Sequence, residues 1–388
     1  MTAGGPSVGL TVLLAVMAGL GAANLYYAQP MIGLIRAEFG SHGAAAAQVS
    51  TAAQVGYMVG ILFLVPLGDL FDRRNVILGL TAALILSLLA AAVAPGLTWL
   101  IAASVAIGIA ATLAQQAIPL AASLASPASA GRSVGQVLSG LLAGILLART
   151  LSGVVAEHFG WRAMYGLGAI IAVGLLAAAW YGLPARRLGV RPTYAELLWS
   201  VYGLVRRHAV LRRAAAVQGL LFAGFNVFWS VLALHLEQPS FGLGPAAAGA
   251  FGLLGLAGVS IAPLAGRVVD RRGAWFVTAV GVLLVLAGWL AGGLVPGLAG
   301  LAITVLLLDA GVQTSLVSNQ AAVFALDPTA HSRLNTAFVA GIFLGGALGS
   351  ACGSFAWFLA GWPGVLLAGA GFAGLGLVVH MIGRPSHA

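Results

Sequence analysis

The 388-residue chain is 61% hydrophobic and only 7% charged, a balance that excludes a soluble globular domain and places the chain in a bilayer. Its formal net charge of +9 is carried by Arg alone, since there is no Lys, and a single cysteine, Cys352, excludes an intrachain disulfide and any multi-cysteine metal site. Cys352 reads as a small packing residue.

Lipid offers no partner to a free backbone N–H or C=O, so each crossing is expected to be a helix of about 20 mostly apolar residues. Apolar runs predict six helices near 9–29, 48–67, 75–94, 97–121, 134–156 and 162–183. Six more follow near 214–236, 245–265, 273–294, 297–320, 334–357 and 361–382. No basic residue precedes Arg36 and no clear cleavage site ends the first run, so it reads as a first crossing rather than a secretory signal.

With the N-terminus in the cytoplasm, that side receives Arg73, Arg74, Arg132, Arg186, Arg187, Arg191, Arg206, Arg207, Arg212, Arg213, Arg267, Arg271, Arg272, Arg333 and Arg384. The opposite side receives Arg36 and Arg162. This asymmetry is the positive-inside pattern, so the basic excess reads as topology rather than as affinity for nucleic acid, with both termini cytoplasmic.

The chain repeats itself. Gly68-Asp69-Leu70-Phe71-Asp72-Arg73-Arg74, after the second predicted helix, returns as Gly266-Arg267-Val268-Val269-Asp270-Arg271-Arg272-Gly273 after the eighth. Arg132, Gly140, Gly144, Gly160 and Trp161 align with Arg333, Gly341, Gly345, Gly361 and Trp362, and Asn24-Leu25-Tyr26-Tyr27 aligns with Asn226-Val227-Phe228-Trp229. The expected organisation is an all-α integral membrane protein of twelve helices in two pseudo-symmetric six-helix bundles, 1–183 and 214–388, joined by a linker at 184–213. In the linker, Thr193 and Glu196 fit a capping box before an amphipathic run whose Leu197, Leu198, Val201, Leu204 and Val205 would meet headgroups or protein.

Gly68-x-x-x-Asp72-Arg73 and Gly266-x-x-x-Asp270-Arg271-x-Gly273, twice and in register, resemble the loop motif of the major facilitator superfamily. The stretch Asn24-Leu25-Tyr26-Tyr27-Ala28-Gln29-Pro30 is similar to bacterial efflux-like, drug/proton antiporter members. The resemblance implies that Gly68, Asp72 and Arg73, and in the second half Gly266, Asp270 and Arg271, form cytoplasmic latches between the halves. It implies a secondary transporter of the bacterial inner membrane, monomeric and without cofactor, taking a small-molecule substrate with protons as coupling ion. The fifth predicted helix resembles the antiporter motif over 144–153 but lacks its Gly-Pro pair.

Small residues every fourth position, Gly140, Gly144, Ala148 and Ser152, and again Gly341, Gly345, Gly349 and Gly353, predict close helix contacts in the fifth and eleventh helices. Two ionisable residues fall inside predicted spans, Arg149 and Asp309, where a charge costs roughly 2.5 to 3.5 kcal/mol on insertion scales. Asp309 reads either as a protonation site coupling proton entry to substrate exit or as a static hydrogen-bonded or ion-paired group. Arg149 can bind an anion, pair with a carboxylate such as Asp309, or hold a helix interface.

Polar and aromatic residues in the spans make up the candidate cavity lining: Asn24, Tyr26, Tyr27, Gln29, Gln54, Tyr57, Gln115, Gln116, Asn226, Trp229, Gln313 and Asn319. Proton-coupled export of small amphipathic or drug-like molecules leads the functional readings. An importer or facilitator of a small anion or sugar, and a non-transporting membrane sensor, stand beside it. The scattered His208, His235, His331 and His380 lack metal-ligand spacing and do not suggest an enzyme.

Overall fold

The computed structural model describes residues 8–40, 45–125, 130–185, 193–327 and 330–382, all-helical with no strand among them. Arg186, Arg187, Arg191 and Arg384 lie outside the described residues. In the first half, α1 (Val8–Ala23) and α2 (Ala28–Glu38) form one crossing interrupted at 24–27. α3 (Gln48–Phe63) leads through the short α4 (Leu67–Leu70) into α5 (Arg73–Ala92), whose N-terminus is capped by Asp72 accepting the Arg74 N–H at 2.9 Å. α6 (Leu97–Ala111) and α7 (Leu113–Leu124) make a crossing that pauses at Thr112, and α8 (Ala130–Phe159) and α9 (Trp161–Gly182) complete the half.

The connecting helix α10 (Tyr194–Arg207) starts in the capping box expected of Thr193 and Glu196. Its Leu197 and Val201 are buried, so the apolar stripe meets protein, and the Tyr194 hydroxyl donates to the Phe63 carbonyl at 2.8 Å. In the second half, α11 (Ala209–Trp229) and α12 (Leu232–Leu236) mirror the interrupted first crossing. α13 (Pro245–Leu294), α14 (Gly297–Phe324) and α15 (His331–Ile382) follow.

Among the described residues, ten helices are long and apolar enough to cross a membrane. α13 is two helices meeting at Gly273 and α15 two meeting at Gly361, which brings the crossings to the twelve expected. Gly361 has φ 59° and its counterpart Gly160, between α8 and α9, has φ 82°. Both are left-handed values that a side chain disfavours, and each lets one crossing reverse directly into the next.

Two hydrophobic cores form. One is built around Leu14, Met17, Tyr57 and Tyr165, and the other around Val217, Phe228, Trp289 and Phe338. The small-residue stripes are used inside each half. Gly140 and Gly144 of α8 lie against Ala15 and Gly19 of α1, while Gly341, Gly345, Gly349 and Gly353 of α15 lie against Ala215, Gly219, Ala223 and Val227 of α11. Lipid does not drive helices together by burial, so this close backbone packing supplies the contact. Gly345→Val forces a side chain onto the Gly219 backbone and is expected to cost roughly 1–3 kcal/mol of stability, read as a lower unfolding temperature in detergent. Gly374→Val, where added atoms meet open space, is the control and should change little. Cys352 is exposed on α15, not packed as its size suggested.

Candidate functional site

The breaks in the first and seventh crossings put side chains into the middle of the molecule. Asn24 donates to the Leu20 carbonyl at 2.6 Å and Asn226 to the Phe222 carbonyl at 2.9 Å, so the repeated asparagines both bond four residues back along their own helices, next to the breaks. Asn226 also accepts from Gln54 of the other half at 3.4 Å. Tyr26 and Gln29 lie at and just beyond the first break, and Trp229 ends α11 at the second.

Arg149 of α8 is 1% exposed and stands among these residues. Its Nε donates to Gln29 Oε1 at 2.8 Å, and its Cζ lies 4.6 Å from the Tyr26 ring, 4.1 Å from the Trp229 ring and 5.7 Å from the Phe225 ring. Three aromatic faces thus take the place of water around the guanidinium, which eases but does not remove the cost of burying it. Trp229 and Phe225 belong to the second half and Arg149 to the first, so the cluster spans both.

Asp309 of α14 is buried as well. No ion pair joins it to Arg149 among the described residues, although the two charges are near enough to act on each other. Two glycines of α13 pack on α8 beside them: a Cβ on Gly252 would lie 3.6 Å from Arg149 Cδ, and one on Gly255 would lie 3.4 Å from Asp309 Oδ2, with Leu146 against both. Residues three apart on a helix are neighbours on one face, so cation and carboxylate flank about one turn of α13.

The halves meet tightly at one end. The Thr150 hydroxyl donates to the Gly249 carbonyl at 3.0 Å, and Glu157 accepts the Ala246 N–H at 2.8 Å, placing a carboxylate of α8 on the N-terminus of α13. Arg36 and Glu237 pair across the halves at 3.6 Å, and Thr51 donates to Ser350 at 3.0 Å. Burial raises the Glu237 carboxyl above its ordinary range against the opposing pull of Arg36. A carboxyl so raised contributes stability that is present in its protonated range and lost as pH rises through its folded-state value. Thermal stability should therefore fall with rising pH above the ordinary glutamate range, and Glu237→Gln should flatten that slope in a pH series of unfolding scans.

At the opposite end a cavity of ≈ 330 Å³ lies between the halves, with Ile61, Val65, Gln115 and Pro119 on one wall and Phe324, His331 and Asn335 on the other. The loop motifs sit at this end. Arg73 pairs with Asp69 at 2.5 Å and donates to the Gly68 carbonyl at 3.0 Å, within its own half, while Asp72 serves as the cap of α5. Asp270 and Arg271 are exposed, and a Cβ on Gly266 would meet open space.

The predicted lining residues divide into two sets. Tyr26, Gln29 and Trp229 gather at Arg149, Gln54 and Asn226 join the halves by their hydrogen bond, and Tyr57 touches Phe343 across the halves at 4.4 Å while accepting from Gln115 at 3.0 Å. The remaining residues lie apart from Arg149 in the bonds they make. Tyr27 packs beside Gly168, Gln116 donates to the Leu64 and Val65 carbonyls where α3 ends, and Asn319 donates to Gln218 and Ser315 inside the second half. Gln313 is half-buried, with no side-chain hydrogen bond among the described residues. Phe225, Gly252 and Gly255 were not expected at the site. A Phe and two Gly in apolar runs read as packing, and only the three-dimensional placement reveals them.

Comparison with known proteins accords with this architecture. The family model described as Major Facilitator Superfamily matches residues 11–332. "Uncharacterized transporter YgaY" of Escherichia coli O157:H7 is 39% identical over 375 residues, covering 96% of this chain and 95% of that protein. "Probable transporter SCO4007" of Streptomyces coelicolor is 38% identical over 360 residues, covering 91% and 82%. Among solved structures, a mutant of the nucleoside transporter NupG superposes with a TM-score of 0.76 at 14% identity, covering 96% of this chain and 99% of that one. A bacterial homolog of the human lysosomal transporter Spinster superposes with a TM-score of 0.73 at 13% identity, covering 97% and 95%. These two share the fold. With its paired halves, interrupted first and seventh crossings and duplicated loop motif, the chain belongs to the Major Facilitator Superfamily and is a multi-pass membrane transporter.

Proposed function

We propose that this transporter couples proton entry to the export of small amphipathic molecules across the bacterial inner membrane, by rocking residues 1–183 against 214–388 with 184–213 as tether. The observation that carries the coupling is the pair of opposite, buried charges, Arg149 of one half and Asp309 of the other, neither in an ion pair among the described residues. Each half contributes one charge, so relative motion of the halves changes how far each compensates the other. Asp309 is the group that can gain and lose a proton, whereas a guanidinium stays charged. Positive-inside asymmetry puts the arginine-rich end, where the cavity opens, in the cytoplasm with both termini. On that orientation the ends joined by Arg36–Glu237 and Glu157 are the closed outer gate, and the Gly68 and Gly266 loops are latches that engage when the inner end closes.

The direction rests on the resemblance of 24–30 to efflux-like members. The test is a flux assay in proteoliposomes under an imposed proton gradient, with wild type and Asp309→Asn side by side. Gradient-driven flux is expected in the wild type, and its gradient dependence is expected to vanish in the variant. Flux in the variant that still follows the gradient removes Asp309 from the coupling step.

A further inference from the structure

Two donors and one acceptor at the centre of the molecule are buried without a partner. Among the described residues Arg149 Nη2, Trp229 Nε1 and Asp309 Oδ2 find no hydrogen-bond partner, and their residues are 1%, 3% and 7% exposed. Folded proteins satisfy nearly all such atoms, so three together at one place point to a ligand that completes them. The two donors are adjacent: the guanidinium carbon stands 4.1 Å from the Trp229 ring, and Gln29 occupies Nε, which leaves the Nη2 edge free. The acceptor lies beside Gly255, whose Cβ would stand 3.4 Å from Asp309 Oδ2, with the Leu146 side chain against the same glycine.

We infer that the substrate is a small zwitterion whose carboxylate is received by Arg149 and Trp229 and whose ammonium is received by Asp309, its apolar body lying against Tyr26 and Phe225. The inference rests on the transport reading and names its substrate class. A monoanion would satisfy the donors but bring a second negative charge towards Asp309, and a monocation would do the reverse at Arg149. A zwitterion compensates both buried charges and adds no net charge, which is the arrangement that offsets desolvation on both sides. The two protein charges flank positions about 5–6 Å apart, so the ammonium and carboxylate of the ligand are separated by only a few bonds. Ammonium binding and protonation at Asp309 then exclude each other, which is the condition for exchanging substrate against a proton.

The test is ligand-induced thermal stabilisation of the purified full-length protein, without a proton gradient, using leucine and phenylalanine beside N-acetylphenylalanine, which keeps only the anion, and phenylalaninamide, which keeps only the cation. At least one zwitterion is expected to raise the unfolding temperature at millimolar concentration, with the single-charge derivatives of phenylalanine binding roughly 10- to 100-fold more weakly than their parent. Arg149→Gln should move the preference towards phenylalaninamide and Asp309→Asn towards N-acetylphenylalanine, a reversal that general destabilisation does not produce. If either variant fails to fold, the wild-type comparison decides alone. Equal stabilisation by a single-charge derivative, or none by either zwitterion, overturns the inference. The gradient assay above judges proton coupling separately, so the two readings can fail independently.

Discussion

Arg149→Lys is expected to leave the protein folded and to lower transport by roughly 10- to 100-fold. Lysine keeps the charge but loses the planar fork, and with it the Nε–H bond to Gln29 and the stacking on Trp229 and Tyr26. A hydrogen bond to a charged group is worth about 1.5–3 kcal/mol and a desolvated cation–π contact about 2, of which a buried ammonium recovers part. Arg149→Gln should be more damaging, because it leaves Asp309 with no nearby compensating cation. Flux in proteoliposomes, paired with unfolding temperature in the same detergent, separates loss of function from loss of fold. Full transport by the lysine variant would show that only the charge of Arg149 matters.

That arginine also marks how far the sequence could be read. Its position inside an apolar run identified it as a buried charge, because composition and lipid physics leave few alternatives. The crossings and the internal duplication were legible for the same reason: helix length, loop arginines and four-residue glycine spacing are local properties. The partners of those glycines were not. Gly144 and Gly345 announced close contacts, but only the fold assigns them to Gly19 and Gly219.

The polar residues were the least legible. Gln29 and Gln116 look alike in sequence, yet one accepts from Arg149 and the other satisfies carbonyls freed where α3 ends. Asn319 aligns with no landmark and is absorbed in a network inside one half. Asp69, which the motif spacing passes over in favour of Asp72, is the carboxylate that holds Arg73 in this conformation. A side chain in a bilayer-spanning helix faces lipid, a neighbouring helix or a cavity according to rotation, and rotation is set by packing between helices distant in sequence.

The same packing predicts the largest conformational effect. Gly249 sits where α13 presses on the backbone of Arg149 and Thr150, and a side chain there would meet main-chain atoms of α8 that have no rotamer by which to yield. Gly249→Val should therefore prevent the Arg36–Glu237 end from closing. Overpacking between two backbones costs roughly 1–3 kcal/mol, enough to shift a near-balanced two-state equilibrium about 5- to 150-fold. Because the valine loads only the conformation in which that end is shut, the population should move rather than the fold collapse. With Cys352 replaced by Ser, spin labels at Phe159 and Ser240, both exposed at that end, should report a longer distance distribution in the variant. Transport should fall, since one of the two access states becomes costly. An unchanged distance distribution would mean that α8 and α13 separate elsewhere in the cycle, and that Gly249 serves only to seat the backbone beside Arg149.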